Sequence, residues 1–200
     1  MARRIFASAC LLVGLAGCLF AQDSLKALSD RLSGGTAAFD YSFSTAGADT
    51  PFSGSGTAFV SGSRYNIAGN GLDIRCDGAV RYTADPAAGE MVIEAADGDM
   101  LDFLSNPALL LRDIGTNFKV ERVSSESGRE VYSLVPVADP SVTGMTLILE
   151  GGVPVAAELL TKDNGRMEFK VSGFRFTEET VPWAFSSEEL EAYSSITDLR

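Results

Sequence analysis

The chain has 200 residues, 46% of them hydrophobic and 22% charged, with three cysteines, no histidine and a formal net charge of −11. Without histidine it holds no Ser-His-Asp or Cys-His catalytic site and no imidazole metal ligand. Its 27 acidic residues against 16 lysines and arginines argue against nucleic acid or an anionic lipid surface as a partner, since both need basic patches.

The N-terminus reads Met1-Ala2-Arg3-Arg4 and then an apolar run from Ile5 to Phe20. A basic start and a run too short to span a membrane describe a secretory signal, so export from the cytoplasm is expected. Cleavage after Ala21 makes residues 1–21 the signal peptide and 22–200 one mature domain. A second reading stays open. Leu15-Ala16-Gly17-Cys18 resembles a bacterial lipobox, in which Cys18 becomes an acylated N-terminus. If Cys10 and Cys18 leave with the signal, Cys76 is a lone thiol and no internal disulfide forms. Its alternating surroundings make it a buried strand residue.

Ser24 to Ser33 places Leu25, Leu28 and Leu32 at helical spacing, with Asp23 or Ser24 as N-cap. From Thr36 onward the period is two. Phe39, Tyr41 and Phe43 alternate with Asp40, Ser42 and Ser44; Tyr65 and Ile67 alternate with Asn66 and Ala68; Leu72, Ile74 and Cys76 alternate with Asp73 and Arg75. Such runs are strands with one buried face. Gly69-Asn70-Gly71, Asp77-Gly78, Asp85-Pro86, Asp97-Gly98, Gly151-Gly152 and Asn164-Gly165 supply the turns. Further strands are expected near 54–60, 79–84, 89–96, 117–123, 129–137, 143–150, 153–162 and 166–176, for about eleven in all. Between them, Asp99 to Ile114 departs from the strand period. Asn106-Pro107 restarts a helix there, and Leu109, Leu110 and Leu111 cover more than one helix face. Ser186 and Glu189 have capping-box spacing for a short helix to Ala192. The expected fold is mainly β (α+β): one long antiparallel sheet, strongly curled, with helices against its concave face.

No catalytic constellation emerges. Ser53-Gly54-Ser55-Gly56 lacks the nucleophile-elbow spacing. Asp73 and Asp77-Gly78 do not complete a calcium loop. An enzyme is therefore not expected, nor is a cofactor or a bound metal. The strands do carry a heavy aromatic load, with 12 Phe, 5 Tyr and 1 Trp in the chain. An ordinary packed core explains this, and so does an apolar cavity inside a curled sheet.

The order of features resembles the periplasmic lipoprotein carriers of the LolA-like family, over about residues 24 to 200. The amphipathic helix is followed by Phe39-Asp40-Tyr41-Ser42-Phe43, then Gly54-Ser55-Gly56-Thr57, then Tyr65-Asn66-Ile67-Ala68-Gly69-Asn70-Gly71. Cys76-Asp77-Gly78-Ala79-Val80-Arg81-Tyr82-Thr83-Ala84-Asp85-Pro86 is similar to the family's hairpin before an aromatic strand. Asn106 to Leu111 sits where the family has a lid helix, and Ile196-Thr197-Asp198-Leu199-Arg200 resembles endings in a Bacteroidetes-type branch. The resemblance implies an unclosed β-barrel with a helical lid or plug. It implies a monomeric carrier taking acylated lipoproteins from an inner-membrane release complex to an outer-membrane acceptor, with no cofactor. The chain departs from the family in one respect. The better-known carriers have an Arg-Pro pair before the third strand that helps hold the lid, and here Ser61-Gly62-Ser63-Arg64-Tyr65 has none.

On this basis the expected lipid-binding wall is Phe39, Tyr41, Phe43, Phe59, Tyr65, Ile74 and Tyr82. The expected lid is Leu25, Leu28, Phe103, Leu104, Leu109 and Leu110. Two alternatives accompany the periplasmic carrier: a LolB-like acceptor anchored in the outer membrane through Cys18, and an envelope interaction protein with a filled core and no ligand.

Overall fold

The computed structural model describes residues 24–46, 52–96, 118–137, 142–162 and 165–200. Within these, helix α1 (24–34) precedes eleven strands: β1 (Thr36–Ala46), β2 (Ser53–Ser61), β3 (Arg64–Gly69), β4 (Leu72–Cys76), β5 (Val80–Asp85), β6 (Glu90–Ala95), β7 (Phe118–Glu126), β8 (Arg129–Pro136), β9 (Val142–Glu150), β10 (Val153–Thr161) and β11 (Arg166–Thr177). A short helix α2 (Ser187–Leu190) and a last strand β12 (Ser195–Asp198) end the chain. The eleven expected strands and both flanking helices are present at or near the expected limits. The expected helix at 99–114 lies outside the described residues. The twelfth strand was not anticipated: Ser195–Asp198 is four residues long, exposed throughout, and carries no alternation.

All twelve strands form one sheet in the order β12-β6-β5-β4-β3-β2-β1-β11-β10-β9-β8-β7. Neighbours are antiparallel except β12, which joins the edge of β6 in parallel. The two end strands, β12 and β7, do not pair with each other, so the sheet stays unclosed. The chain reverses between β1 and β11, whose pairing runs from Thr36↔Thr177 to Ala46↔Arg166 and joins the N-terminal meander to the C-terminal one.

The inner face, on which α1 lies, holds the main core. Leu25, Leu28 and Leu32 of α1 cluster there with residues of every strand from β1 to β4 and from β7 to β11. The helix bridges the two halves of the sheet at one end. Its first residue, Ser24, donates through Oγ to Glu130 Oε1 of β8 at 3.0 Å. The Leu32 carbonyl at its other end accepts from the Gly62 backbone in the β2–β3 turn at 3.2 Å. The Glu130 carboxylate also accepts from the Tyr132 hydroxyl at 2.6 Å. Burial, and next to it the Glu130 hydrogen bond and charge, raise the pKa of that phenol and keep it a donor.

At β5 and β6 the polarity of the sheet reverses. The outer face here is apolar, with Ala84, Met91 and Ile93 buried beneath Phe185, and with Val80, Tyr82, Leu190 and Tyr193 packed around them. The C-terminal segment from Thr177 to Ser194 supplies this cover and is tied down by Arg75 of β4. Arg75 is 8% exposed. It meets Asp73 Oδ2 at 2.8 Å and Glu189 Oε1 at 2.9 Å, donates to the Ala184 carbonyl at 3.3 Å and lies 3.8 Å from the Phe185 ring centre. Glu189 closes the α2 capping box with Ser186. The Ser186 backbone N–H and the Arg75 side chain hold the Glu189 carboxyl below its ordinary pKa.

Two expectations follow. Arg75→Met leaves Asp73 and Glu189 without their cation and is expected to cost about 2 kcal/mol in urea unfolding. The Glu189 contribution has the sign of a depressed carboxylate: it is complete above the ordinary carboxylate pKa and is lost as pH falls through the lower folded value. The stability gap between wild type and Glu189→Gln should therefore close on acidification, and a gap that persists there would contradict this account. Second, Glu130→Ala is expected to speed amide hydrogen exchange across residues 25–34 while leaving β1–β4 protected.

Candidate functional site

The candidate site is the inner face around β1. Period two puts Phe39, Tyr41 and Phe43 on it at 2%, 6% and 6% exposure, with Asp40, Ser42 and Ser44 exposed on the other side. Register then sets large against small. On β2, Phe39 faces Ala58, Tyr41 faces Gly56 and Phe43 faces Gly54. On β11, Tyr41 faces Val171 and Phe43 faces Phe169. Tyr41 thus reaches over the bare backbone of Gly56 and Gly69 on one side and stacks on Phe169 on the other.

The rings form two tracks. In one, Tyr41 is 6.4 Å from Phe43 and 5.8 Å from Phe169, and Phe43 meets Phe52 edge-on at 5.4 Å. Phe52 is 49% exposed and sits at the end of the sheet away from α1, so this track runs from the surface into the core. In the other, Phe39 stacks on Phe174 at 5.9 Å, Phe174 meets Phe176 at 5.5 Å, and Arg31 of α1 lies 3.7 Å from the Phe176 ring centre. Phe174 reaches this face through a bulge in β11. The register slips between Ala38 and Asp40, and Gly173 takes φ +62° opposite it, as a bulge glycine does.

Tyr65, Ile67 and Cys76 continue the buried inner face across β3 and β4, and Ile74 packs half-buried against it. On β5 and β6 the same face turns polar: Arg81 faces Cys76 across the ladder and pairs with Glu94 at 3.1 Å. Cys76 itself is buried and carries no disulfide; its Sγ accepts from the Gly78 backbone at 3.3 Å.

The expected wall residues thus divide. Phe39, Tyr41, Phe43, Tyr65 and Ile74 share the inner face with Leu25 and Leu28. Phe59 and Tyr82 do not. Phe59 lies opposite Ala38 and Asn66, one position out of phase with the buried Ala58 and Val60. Tyr82 lies opposite Arg75 and Ile93 and packs on Phe185 at 5.9 Å. The cause is the turn at Asp77–Ala79, which pairs Cys76 with Arg81 and so carries Tyr82 to the outer face. Phe103, Leu104, Leu109, Leu110 and Cys18 lie outside the described residues.

Sequence reasoning missed Phe52, Phe169, Phe174 and Phe176. Met167, Phe169 and Val171 alternate and were readable as one face. Phe174 and Phe176 were not, because the bulge at Gly173 shifts their phase. Among the described residues no group of His, Cys, Asp and Glu side chains is placed to hold a metal ion, and no helix is long and apolar enough to cross a membrane. The site offers apolar surface, aromatic faces and the buried phenols of Tyr41, Tyr65 and Tyr132, which suits an alkyl chain better than a polar substrate.

No family model matches the chain, and no curated protein matches it. Among solved structures it is similar to a LolA superfamily protein from Nitrosomonas europaea, at 11% identity and TM-score 0.44, over 80% of this chain and 94% of that one. It is similar to a DUF1329 family protein from Desulfovibrio piger at 10% identity and TM-score 0.46, over 87% and 99% of the two chains. It is also similar to a putative outer membrane lipoprotein-sorting protein domain from Vibrio parahaemolyticus, at 11% identity and TM-score 0.42, over 84% and 95%.

Proposed function

We propose that the chain is an exported periplasmic carrier that takes up the acyl chains of lipoproteins on the inner face of its sheet and delivers them toward the outer membrane. One observation carries this reading: the aromatic track from half-exposed Phe52 through Phe43 and Tyr41 to Phe169 joins the surface to an apolar face inside an unclosed sheet. An acyl chain gains about 0.8 kcal/mol per buried CH₂, so a multiply acylated protein does not leave a membrane unaided. A carrier must offer comparable apolar surface and still release its load.

In this reading α1 stands in for the ligand when the carrier is empty. Its leucines cover the inner face, and its polar ties to Glu130 and Gly62 are few enough to exchange for lipid contact. Phe39, Tyr41, Phe43, Tyr65 and Ile74 form the wall, and Phe103, Leu104, Leu109 and Leu110 complete the lid. Residues 1–21 are removed on export. The reading involves no catalysis, no cofactor and no nucleic acid.

The test is release of an acylated lipoprotein from inner-membrane vesicles by the mature chain, with native mass spectrometry of protein purified without detergent. The expected results are a soluble one-to-one complex and co-purified lipid. Leu109→Glu combined with Leu110→Glu should abolish release while the circular dichroism spectrum stays that of a β protein. Undiminished release by that variant, or wild-type protein that neither carries lipid nor releases lipoprotein, would count against the carrier.

A further inference from the structure

We propose that the Tyr41 hydroxyl is a ligand-binding group of the inner face, donating a hydrogen bond to the ester or amide carbonyl at the head of a bound acyl chain. This rests on the carrier reading and adds to it the one polar contact the ligand makes with the wall.

Tyr41 is 6% exposed and its ring is fixed between Phe43 and Phe169. Its hydroxyl lies over the paired glycines Gly56 and Gly69 of β2 and β3. A Cβ on Gly56 would stand 2.9 Å from that oxygen, and one on Gly69 would stand 2.7 Å from it. The same Cβ atoms would stand against the Ala68 carbonyl oxygen and 2.7 Å from that of Ser55, so the bare backbone makes room for the close approach of β2 and β3 and for the hydroxyl together.

The room brings no partner with it. Among the described residues the Tyr41 hydroxyl makes no hydrogen bond, and burial is the only influence on its pKa, which it raises. Tyr132 provides the comparison on the same face: it is 0% exposed, and its hydroxyl donates to Glu130 at 2.6 Å. A buried hydroxyl left unpaired gives up its water without replacement, and native proteins rarely keep one without a use.

Its place on the track and its chemistry name that use. Tyr41 stands two ring contacts inward from half-exposed Phe52, where a chain entering from the open end would pass. A phenol in this state is a donor seeking an acceptor. An acyl chain carries its strong acceptors at one point, the carbonyl oxygens of its head. An alkyl chain joined through an ether lacks the carbonyl and keeps the same apolar body.

The experiment is calorimetric titration of the mature protein with dioctanoyl glycerol and with dioctyl glycerol ether, for wild type and Tyr41→Phe. Wild type is expected to bind the ester about three- to tenfold more tightly than the ether. Tyr41→Phe should bind both with the affinity wild type shows for the ether. Ligand-free Tyr41→Phe should also melt about 2 to 4 °C higher, because an unpaired buried hydroxyl has gone. An ester preference that survives in Tyr41→Phe, equal wild-type affinities for the two lipids, or a lower melting temperature would each overturn the assignment alone. Wild type that binds neither lipid would overturn the carrier reading together with it.

Discussion

The structure depends on the pairing of β1 with its two neighbours. β1 stands at the middle of the sheet, where the chain's two meanders meet, and it carries the bulkiest alternation in the sequence. Because its partners across β2 are glycine or alanine, three aromatic rings fit on one face without forcing the strands apart. A shift of one residue would send Phe39, Tyr41 and Phe43 to the outer face and bring Asp40, Ser42 and Ser44 inward. The inner core, the docking of α1 and both aromatic tracks assume that this shift does not happen.

A sheet this long cannot keep one apolar side throughout. From β1 to β4 the buried residues face α1. By β5 and β6 they face outward, and the inner positions hold Arg81 and Glu94. The C-terminal segment meets this reversal by crossing the outer face and pairing β12 with β6. Arg75 lies on the line between the two regimes, which accounts for its many contacts: a guanidinium taken out of water is tolerable when carboxylates, a carbonyl and a ring face surround it. The four-residue β12 also blunts the edge of β6, where a longer apolar strand would invite pairing with other chains.

The two ends of the sheet differ for the same reasons. At one end α1 runs from β8 to the β2–β3 turn and covers the core with leucines. At the other, Phe52 is left half-exposed against Phe43, and the inner face around it is floored by Gly54, Gly56 and Gly69. Polar groups on the inner face are few; three of them are the phenols of Tyr41, Tyr65 and Tyr132, and the first and last have opposite circumstances. Tyr132 serves the docking of α1 through Glu130. The Tyr41 ring is buried between Phe43 and Phe169, and its hydroxyl makes no hydrogen bond among the described residues.

Much of this was legible in the sequence. Alternation at Phe39-Tyr41-Phe43, Tyr65-Ile67 and Leu72-Ile74-Cys76, set between Asn-Gly and Asp-Gly turns, determined the strands and the face each one buries, because side-chain direction along a strand is a local property. Helical spacing of Leu25, Leu28 and Leu32 determined α1, and Ser186 with Glu189 determined the cap of α2. Tertiary structure alone decided which buried faces belong together. Phe59 and Tyr82 alternate as convincingly as Tyr41, yet their cross-strand partners place them on the outer face, and partners are set by turn geometry. The bulge at Gly173 and the parallel addition of β12 depend on contacts between strands far apart in the chain. The unpaired Tyr41 hydroxyl over Gly56 and Gly69 is of the same kind: three residues from three strands define it, and no local pattern announces that they meet.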